Sequence, residues 1–220
     1  EAGTVKIAGV DKDVILKLAK ELSEKRSIAA KELSERITAE IRFLDMEKVK
    51  FSVDLSSIYD AKGEIAFTKD GTDKIDFLVS TNPGEPPKSL SKIASGGEAA
   101  RILLAMKCVM TSADNIETLI FDEIDTGVSG KTSQKIGIKL RQLGKTLQIL
   151  SITHSAQVAA TAQSHFKIKK NTVDGRAQTE VDLLDRQGRI DEISRIMGGV
   201  NITEKIRDSA KEMLETAENL

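Results

Sequence analysis

Apolar residues recur at Ile15, Leu18, Leu22, Ala29, Leu33, Ile37, Ile41 and Leu44, in a stretch from Asp13 to Asp45 without Gly or Pro. Steps of three, four and seven predict one long amphipathic helix. Two settings suit it: an ordinary helix packed on a core, or the end of a coiled-coil arm running into a globular head. Lys25 and Arg36 fall on or near the seam, so a strict heptad is not sustained.

The pattern then changes period. "KVKFSVDL" (48–55), "GEIAFTKDG" (63–71) and "DKIDFLVST" (73–81) alternate, carry Val and Phe, and are bounded by Lys-Gly and Asp-Gly, which predicts antiparallel strands. "NPGEPPKSLSKIASGG" (82–97) holds all three prolines and reads as a loop. A helix is expected from Gly97 or Glu98 through "EAARILLAMKCVM". Beyond it strand and helix alternate. "TLIFDE" is a continuous apolar run, as in strands covered on both faces. "KTSQKIGIKLRQLG" reads as a helix ending at Gly144, "TLQILSIT" as a second buried strand, and a short helix follows from Ser155. "HFKIKK" and "TEVDLLD" suggest a hairpin, and two closing helices follow, the first stopped at Gly198-Gly199. The βα alternation of the second half predicts an α/β fold with a parallel sheet.

Composition narrows the class without naming it. With 220 residues, 40% hydrophobic and 30% charged, the chain has enough apolar surface for a sizeable core. No apolar run approaches the roughly 18 residues of a membrane-spanning helix, so no membrane partner is expected. The net charge of −1 and the 3% aromatic content announce neither a basic nucleic-acid patch nor a base-stacking platform. Cys108, alone, excludes an internal disulfide and suits a reducing cytosol; its apolar neighbours predict a buried structural thiol. The chain opens on Glu1, which suggests a fragment of a longer protein.

Candidate chemistry centres on "FDEIDTGVSGKTS" (121–133), which supports two incompatible readings. A phosphate-cradling loop needs G-x-x-x-x-G-K-[ST], and Gly130-Lys131-Thr132 matches its end. Its first glycine would stand at position 125, which is Asp125, a carboxylate that repels phosphate and lacks glycine's backbone freedom. The other reading takes an apolar strand ending in acids: Asp122 to hold Mg²⁺ through water, and Glu123 to polarise a water for attack on phosphorus. Upstream, "SGGE" (95–98) opens a helix, where bare N–H groups and the helix dipole favour an anion; a plain cap is the blander alternative. Downstream, His154 stands at the carboxyl end of the next strand, where α/β sheets place ligands. The order SGGE, apolar strand with Asp-Glu, D-x-G turn and strand-His is far more specific than any one of its parts.

That order resembles the C-terminal half of an ABC-type ATPase head. "DFLVSTNPGEPPKSLSKIASGGEAARILLAMK", "IFDEIDTGVSG", "QILSITHSAQVAA" and "RIDEISRIMGG" closely resemble the RecN family of SMC-like ATPases, strongly from about Leu33 onward and weakly over the first 30 or so residues. The resemblance implies a long helix over 1–45, the returning end of a coiled-coil arm, and a C-terminal head lobe over 46–220 with a small antiparallel β part. It implies that Ser95, Gly96, Gly97 and Glu98 are the ABC signature, facing the γ-phosphate held by an opposite protomer. Asp122 matches the Walker B aspartate and Glu123 the catalytic glutamate. Asp125 and Gly127 lie in the interfacial D-loop, and His154 is the switch histidine. Gly130-Lys131-Thr132 is then a helix start.

ATP and Mg²⁺ follow as cofactors. The implied partners are the N-terminal lobe of the same protein, which carries Walker A, a second head, and double-stranded or broken DNA. The implied location is the bacterial cytoplasm, at the nucleoid. Ala94 precedes the signature where many SMC heads have Leu, and no Walker A or Q-loop occurs in the 220 residues. The expected fragment is therefore half a head, inactive alone. A non-catalytic docking lobe is the competing function. A transporter's nucleotide-binding subunit is disfavoured by the long leading helix, Glu98 and the NPGEP loop.

Overall fold

The computed structural model describes residues 12–82, 84–92, 96–110, 116–173 and 176–220. The chain divides into two compact units, residues 1–94 and 95–220.

In the first unit, α1 (Lys12–Phe43) is the long helix the periodicity predicts. Only its last turns meet a core: Ile37 and Ile41 are buried, with Leu44 just beyond, whereas Leu18, Leu22 and Ile28 stay exposed. β1 (Lys50–Ser57) and β2 (Asp73–Ser80) pair antiparallel, and a two-residue β3 (Lys88–Ser89) adds to β2. The cross-strand neighbours Phe51 and Val79 are buried, and the rings of Phe51 and Phe77 stack with centroids 5.8 Å apart. The Ser34 hydroxyl accepts from the Val53 N–H at 3.1 Å, fastening α1 to β1. Further along, the Asp73 carboxylate receives the Ser23 hydroxyl at 2.5 Å and Arg26 Nη1 at 2.8 Å.

The strand expected over 63–71 is not there. The segment makes only isolated bridges, Tyr59 to Ile65 and Thr68 to Gly71. The Asp60 carboxylate accepts from the Lys62 and Glu64 N–H groups, and Thr68 Oγ1 bonds to both Asp70 N–H and Gly71 O, so side chains take backbone partners a ladder would need.

In the second unit, α2 (Gly96–Met110) leads to β4 (Thr118–Asp122), α3 (Gly130–Leu143), β5 (Gln148–Ile152) and α4 (Ala156–Thr161). β4 and β5 are parallel, as the alternation predicts. A hairpin follows, β6 (Phe166–Val173) and β7 (Arg176–Leu183), then α5 (Arg186–Gly198) and α6 (Glu204–Glu218). Ala156, Ala160, Ile193, Ala210, Leu214 and Ala217 form the core between α4, α5 and α6.

Two expectations need correction. β4 and β5 are not covered on both faces: Phe121 is buried, but Ile120 is 68% exposed, and Leu150, its register partner, and Ile152 are exposed with it. Helix α3 packs on one side of the pair, and no described residue covers the other. Cys108 is half-buried rather than fully enclosed.

The hairpin turns Lys167 toward the protein. Phe166 pairs with Leu183 and Ile168 with Val181, and all four are exposed. Between them, the Lys167 ammonium reaches the Glu192 carboxylate on α5, which Arg195 also grips at 2.7 Å. Glu192 is only 6% exposed, and the Arg195 hydrogen bonds, opposed by burial and joined by Lys167, hold its carboxyl at about 2, against 4.5 ordinarily. A carboxyl depressed on folding stabilises above its unfolded value, and that contribution is lost as pH falls through its folded value. That contribution is on the order of a few kcal/mol. Urea unfolding at pH values from about 5 down to 2.5 is expected to show stability falling, and Glu192→Gln to flatten part of that fall. An unchanged slope in the variant would remove Glu192 from the acid response.

Candidate functional site

Three elements far apart in sequence converge at the carboxyl end of the β4–β5 pair. β4 ends at Asp122, whose register partner is Ile152, and both Asp122 and Glu123 are exposed. The Glu123 N–H donates to Ile152 O at 3.0 Å, carrying the ladder one residue past the strand. Glu123 has φ 47°, a left-handed conformation rare outside Gly and Asn. Its carbonyl then accepts from the Thr126 N–H at 3.1 Å, closing a tight turn. Gly127 leaves that turn at φ 73°, where a side chain would strain the backbone.

Asp125 points back into the protein and is 5% exposed. Thr153 Oγ1 donates to its Oδ2 at 2.5 Å, and its Oδ1 is buried without a hydrogen-bond partner among the described residues. Thr153 lies just past β5. It is followed by His154, exposed, and Ser155, which caps α4 by accepting from Val158 N–H. His154 therefore stands two residues beyond the partner of Asp122, at the same end of the sheet.

On the other flank is the start of α2. Gly96 opens the helix, one residue earlier than the sequence suggests, followed by Gly97 and Glu98. A Cβ at Gly97 would lie 3.2 Å from Arg101 Nη1 and 3.4 Å from Thr126 O, so the glycine permits close approach of helix and turn. Arg101 is buried, and its Nη1 donates to Ile124 O at 3.3 Å. Burial pulls its guanidinium below the ordinary value, and Glu98 works against that. Ser95 and Ala94 lie outside the described residues.

The structure thus brings Gly97, Asp122, Glu123, Asp125, Gly127 and His154 to one end of the second unit. Arg101 and Thr153, which hold the turn from either side, escaped the sequence reading. An Arg six residues after the signature Ser on an otherwise apolar helix face was the available signal for the first. Nothing but adjacency to His154 marked the second.

Gly130-Lys131-Thr132 forms the first turn of α3, capped by the Ser129 hydroxyl accepting from Thr132 N–H at 3.3 Å. The pattern that mimics a phosphate loop is an ordinary capped helix. Among the described residues, no group of three or more His, Cys, Asp or Glu is placed to hold a metal ion, and no helix is long and apolar enough to cross a membrane.

No protein-family profile matches the chain. Among curated proteins it is 43% identical over 199 residues to the DNA repair protein RecN of Halalkalibacterium halodurans, covering 90% of this chain and 35% of that protein. It is 40% identical to the DNA repair protein RecN of Bacillus subtilis, covering 96% of this chain and 38% of that one. Among solved structures, the Smc head domain with an extended coiled coil from Pyrococcus furiosus, bound to the C-terminal domain of ScpA, superposes with a TM-score of 0.52 at 18% identity, over 82% of this chain and 42% of that one. That likeness shows the fold: an SMC-type head. The chain spans little more than a third of the curated relatives' length, and over that span it belongs to the RecN family.

Proposed function

We propose that the chain is the C-terminal lobe of an ATPase head in a RecN-like protein of bacterial DNA double-strand break repair, in which heads dimerise around nucleotide and separate on its hydrolysis. One observation carries the reading: a left-handed Glu123 directly after Asp122 at the carboxyl end of β4, with His154 at the same end of β5. Strained backbone persists where the surroundings hold it, and such residues cluster at functional sites.

The residues suit ATP and Mg²⁺ as half of a composite site. Mg²⁺ is commonly held by one or two carboxylates together with phosphates and water, so a lone exposed Asp122 is chemically sufficient here. When bound, the nucleotide supplies the phosphoryl group and the metal neutralises its charge. The α2 N-terminus, with Gly96, Gly97 and Glu98, would offer N–H groups and a positive dipole end to a γ-phosphate held by the opposite head, and Ser95 of the signature precedes it in sequence. A Cβ at Gly96 would meet no described residue within 4 Å. Asp122 would hold Mg²⁺. Glu123 orients and deprotonates the attacking water. His154 reads the γ-phosphate, while Asp125 and Gly127 lie along the interface between heads.

The other half is the N-terminal lobe with its Walker A loop. The bare face of β4–β5 and the exposed hairpin residues Phe166, Ile168, Val181 and Leu183 give that lobe an apolar surface to cover. The exposed Leu18, Leu22 and Ile28 of α1 likewise suit a second helix of a coiled-coil arm. Without the Walker A loop, which carries most triphosphate contacts, the chain alone neither binds ATP tightly nor hydrolyses it. The whole protein acts on double-stranded or broken DNA in the cytoplasm, at the nucleoid.

In that protein, Ser95→Arg is expected to abolish hydrolysis while leaving nucleotide binding to a single head within about twofold, because a bulky cation blocks the approach of the helix end to phosphate. Turnover and equilibrium nucleotide binding, measured side by side, check this. A variant that still turns over like the wild type would remove Ser95 from the site.

A further inference from the structure

We infer that Thr153 is a positioning residue for the proposed reaction, tying the buried Asp125 of the interfacial turn to the backbone that carries His154. The inference rests on the reading of Asp122, Glu123 and His154 given above.

Asp125 is almost fully buried. An Asp is almost never fully buried unless it is paired, because removing its charge from water is costly. Here Oδ2 is met by the neutral hydroxyl of Thr153, and Oδ1 has no hydrogen-bond partner among the described residues. A leucine of similar bulk would sit there without burying a charge, so apolar packing alone does not account for the residue. What the carboxylate does provide is an acceptor that ties the turn to one hydroxyl.

That hydroxyl both donates and accepts. Thr153 Oγ1 gives its proton to Asp125 and accepts from the Ser155 N–H at 2.9 Å. The residue between Thr153 and Ser155 is His154, so one oxygen fixes the backbone on both sides of the histidine. The same turn is fastened on its far side by Arg101 Nη1 to Ile124 O, beneath the close approach of Gly97 to Thr126 O. Residues 124–126 are thus bonded both to the helix that starts with the signature and to the segment that carries the histidine. A second head pressing on the turn displaces Asp125, and Thr153 passes that displacement to His154. Thr153 touches neither nucleotide nor water in this scheme; it acts through its neighbour.

The test uses the full-length protein with Thr153→Val, which keeps shape and removes the hydroxyl, and Thr153→Ser, which restores it, beside wild type and Glu123→Gln. For Thr153→Val, kcat is expected to fall about 10–100-fold, the range that misplacement of a catalytic group produces, with KM for ATP unchanged within about twofold. Hydrogen exchange in the nucleotide-free protein gives a readout independent of turnover. Amides of both 121–127 and 153–158 are expected to exchange faster in Thr153→Val and to regain protection in Thr153→Ser. Unchanged exchange over 121–127, or wild-type turnover in Thr153→Val while Glu123→Gln is inactive, would overturn this inference and leave the functional reading intact. Loss of turnover together with thermal stability, not rescued by Ser, would make Thr153 structural and overturn it too. Wild-type turnover in Glu123→Gln would sink the functional reading and this inference with it.

Discussion

Glu123→Gln in the full-length protein is expected to lower steady-state ATP turnover by about 10²–10⁴-fold, the usual cost of removing a general base. The amide keeps the carboxylate's shape and one accepting oxygen, so a purely structural acid at this position would barely register the change. The backbone at 123 does not depend on the charge: φ 47° is held by the Glu123 N–H to Ile152 O and the Thr126 N–H to Glu123 O. Nucleotide binding through Asp122 and the Walker A lobe should survive. With hydrolysis blocked, paired heads should accumulate in sedimentation with ATP and Mg²⁺. Asp122→Asn is expected to act differently, weakening Mg²⁺-dependent binding itself and leaving heads unpaired. Glu123→Gln turning over faster than about a tenth of the wild-type rate lies outside the general-base range and would leave Glu123 as an acid beside the metal.

Much of this site was legible because its parts are local. An apolar run ending in two acids, a pair of glycines before a helix and a His after a strand each declare themselves within a few residues. The parallel β4–β5 pair then brings their ends together without further instruction. The contacts that hold the turn were not legible. Arg101 to Ile124 O and Thr153 to Asp125 join residues 23 and 28 positions apart, and neither side chain differs in type from many surface ones. The misread strand at 63–71 failed for a related reason. Its alternation was real, but Asp60 and Thr68 supply backbone partners from within the segment and remove the need for a neighbour. The apolar runs of β4 and β5 foretold two covered faces, and one of those faces has no cover among the described residues.

That bare face makes the second large prediction, because exposure and burial at neighbouring residues part company. Ile120 is 68% exposed and Phe121 only 3%. Lys at position 120 keeps its charge in water in the isolated chain, so the change should cost no more than about 0.5–1 kcal/mol, the span of surface and strand-propensity effects. Lys at position 121 would bury an unpaired ammonium and should unfold the second unit. If the N-terminal lobe covers Ile120, Leu150 and Ile152, Ile120→Lys must carry its charge into an apolar interface. Binding of a separately expressed N-terminal lobe should then weaken by more than about 100-fold, equivalent to roughly 3 kcal/mol. Thermal unfolding of the chain alone and calorimetric titration with the lobe measure the two effects separately. Wild-type affinity in Ile120→Lys would mean that this face remains in water in the complete head, and the two-lobed assembly would have to be built across a different surface.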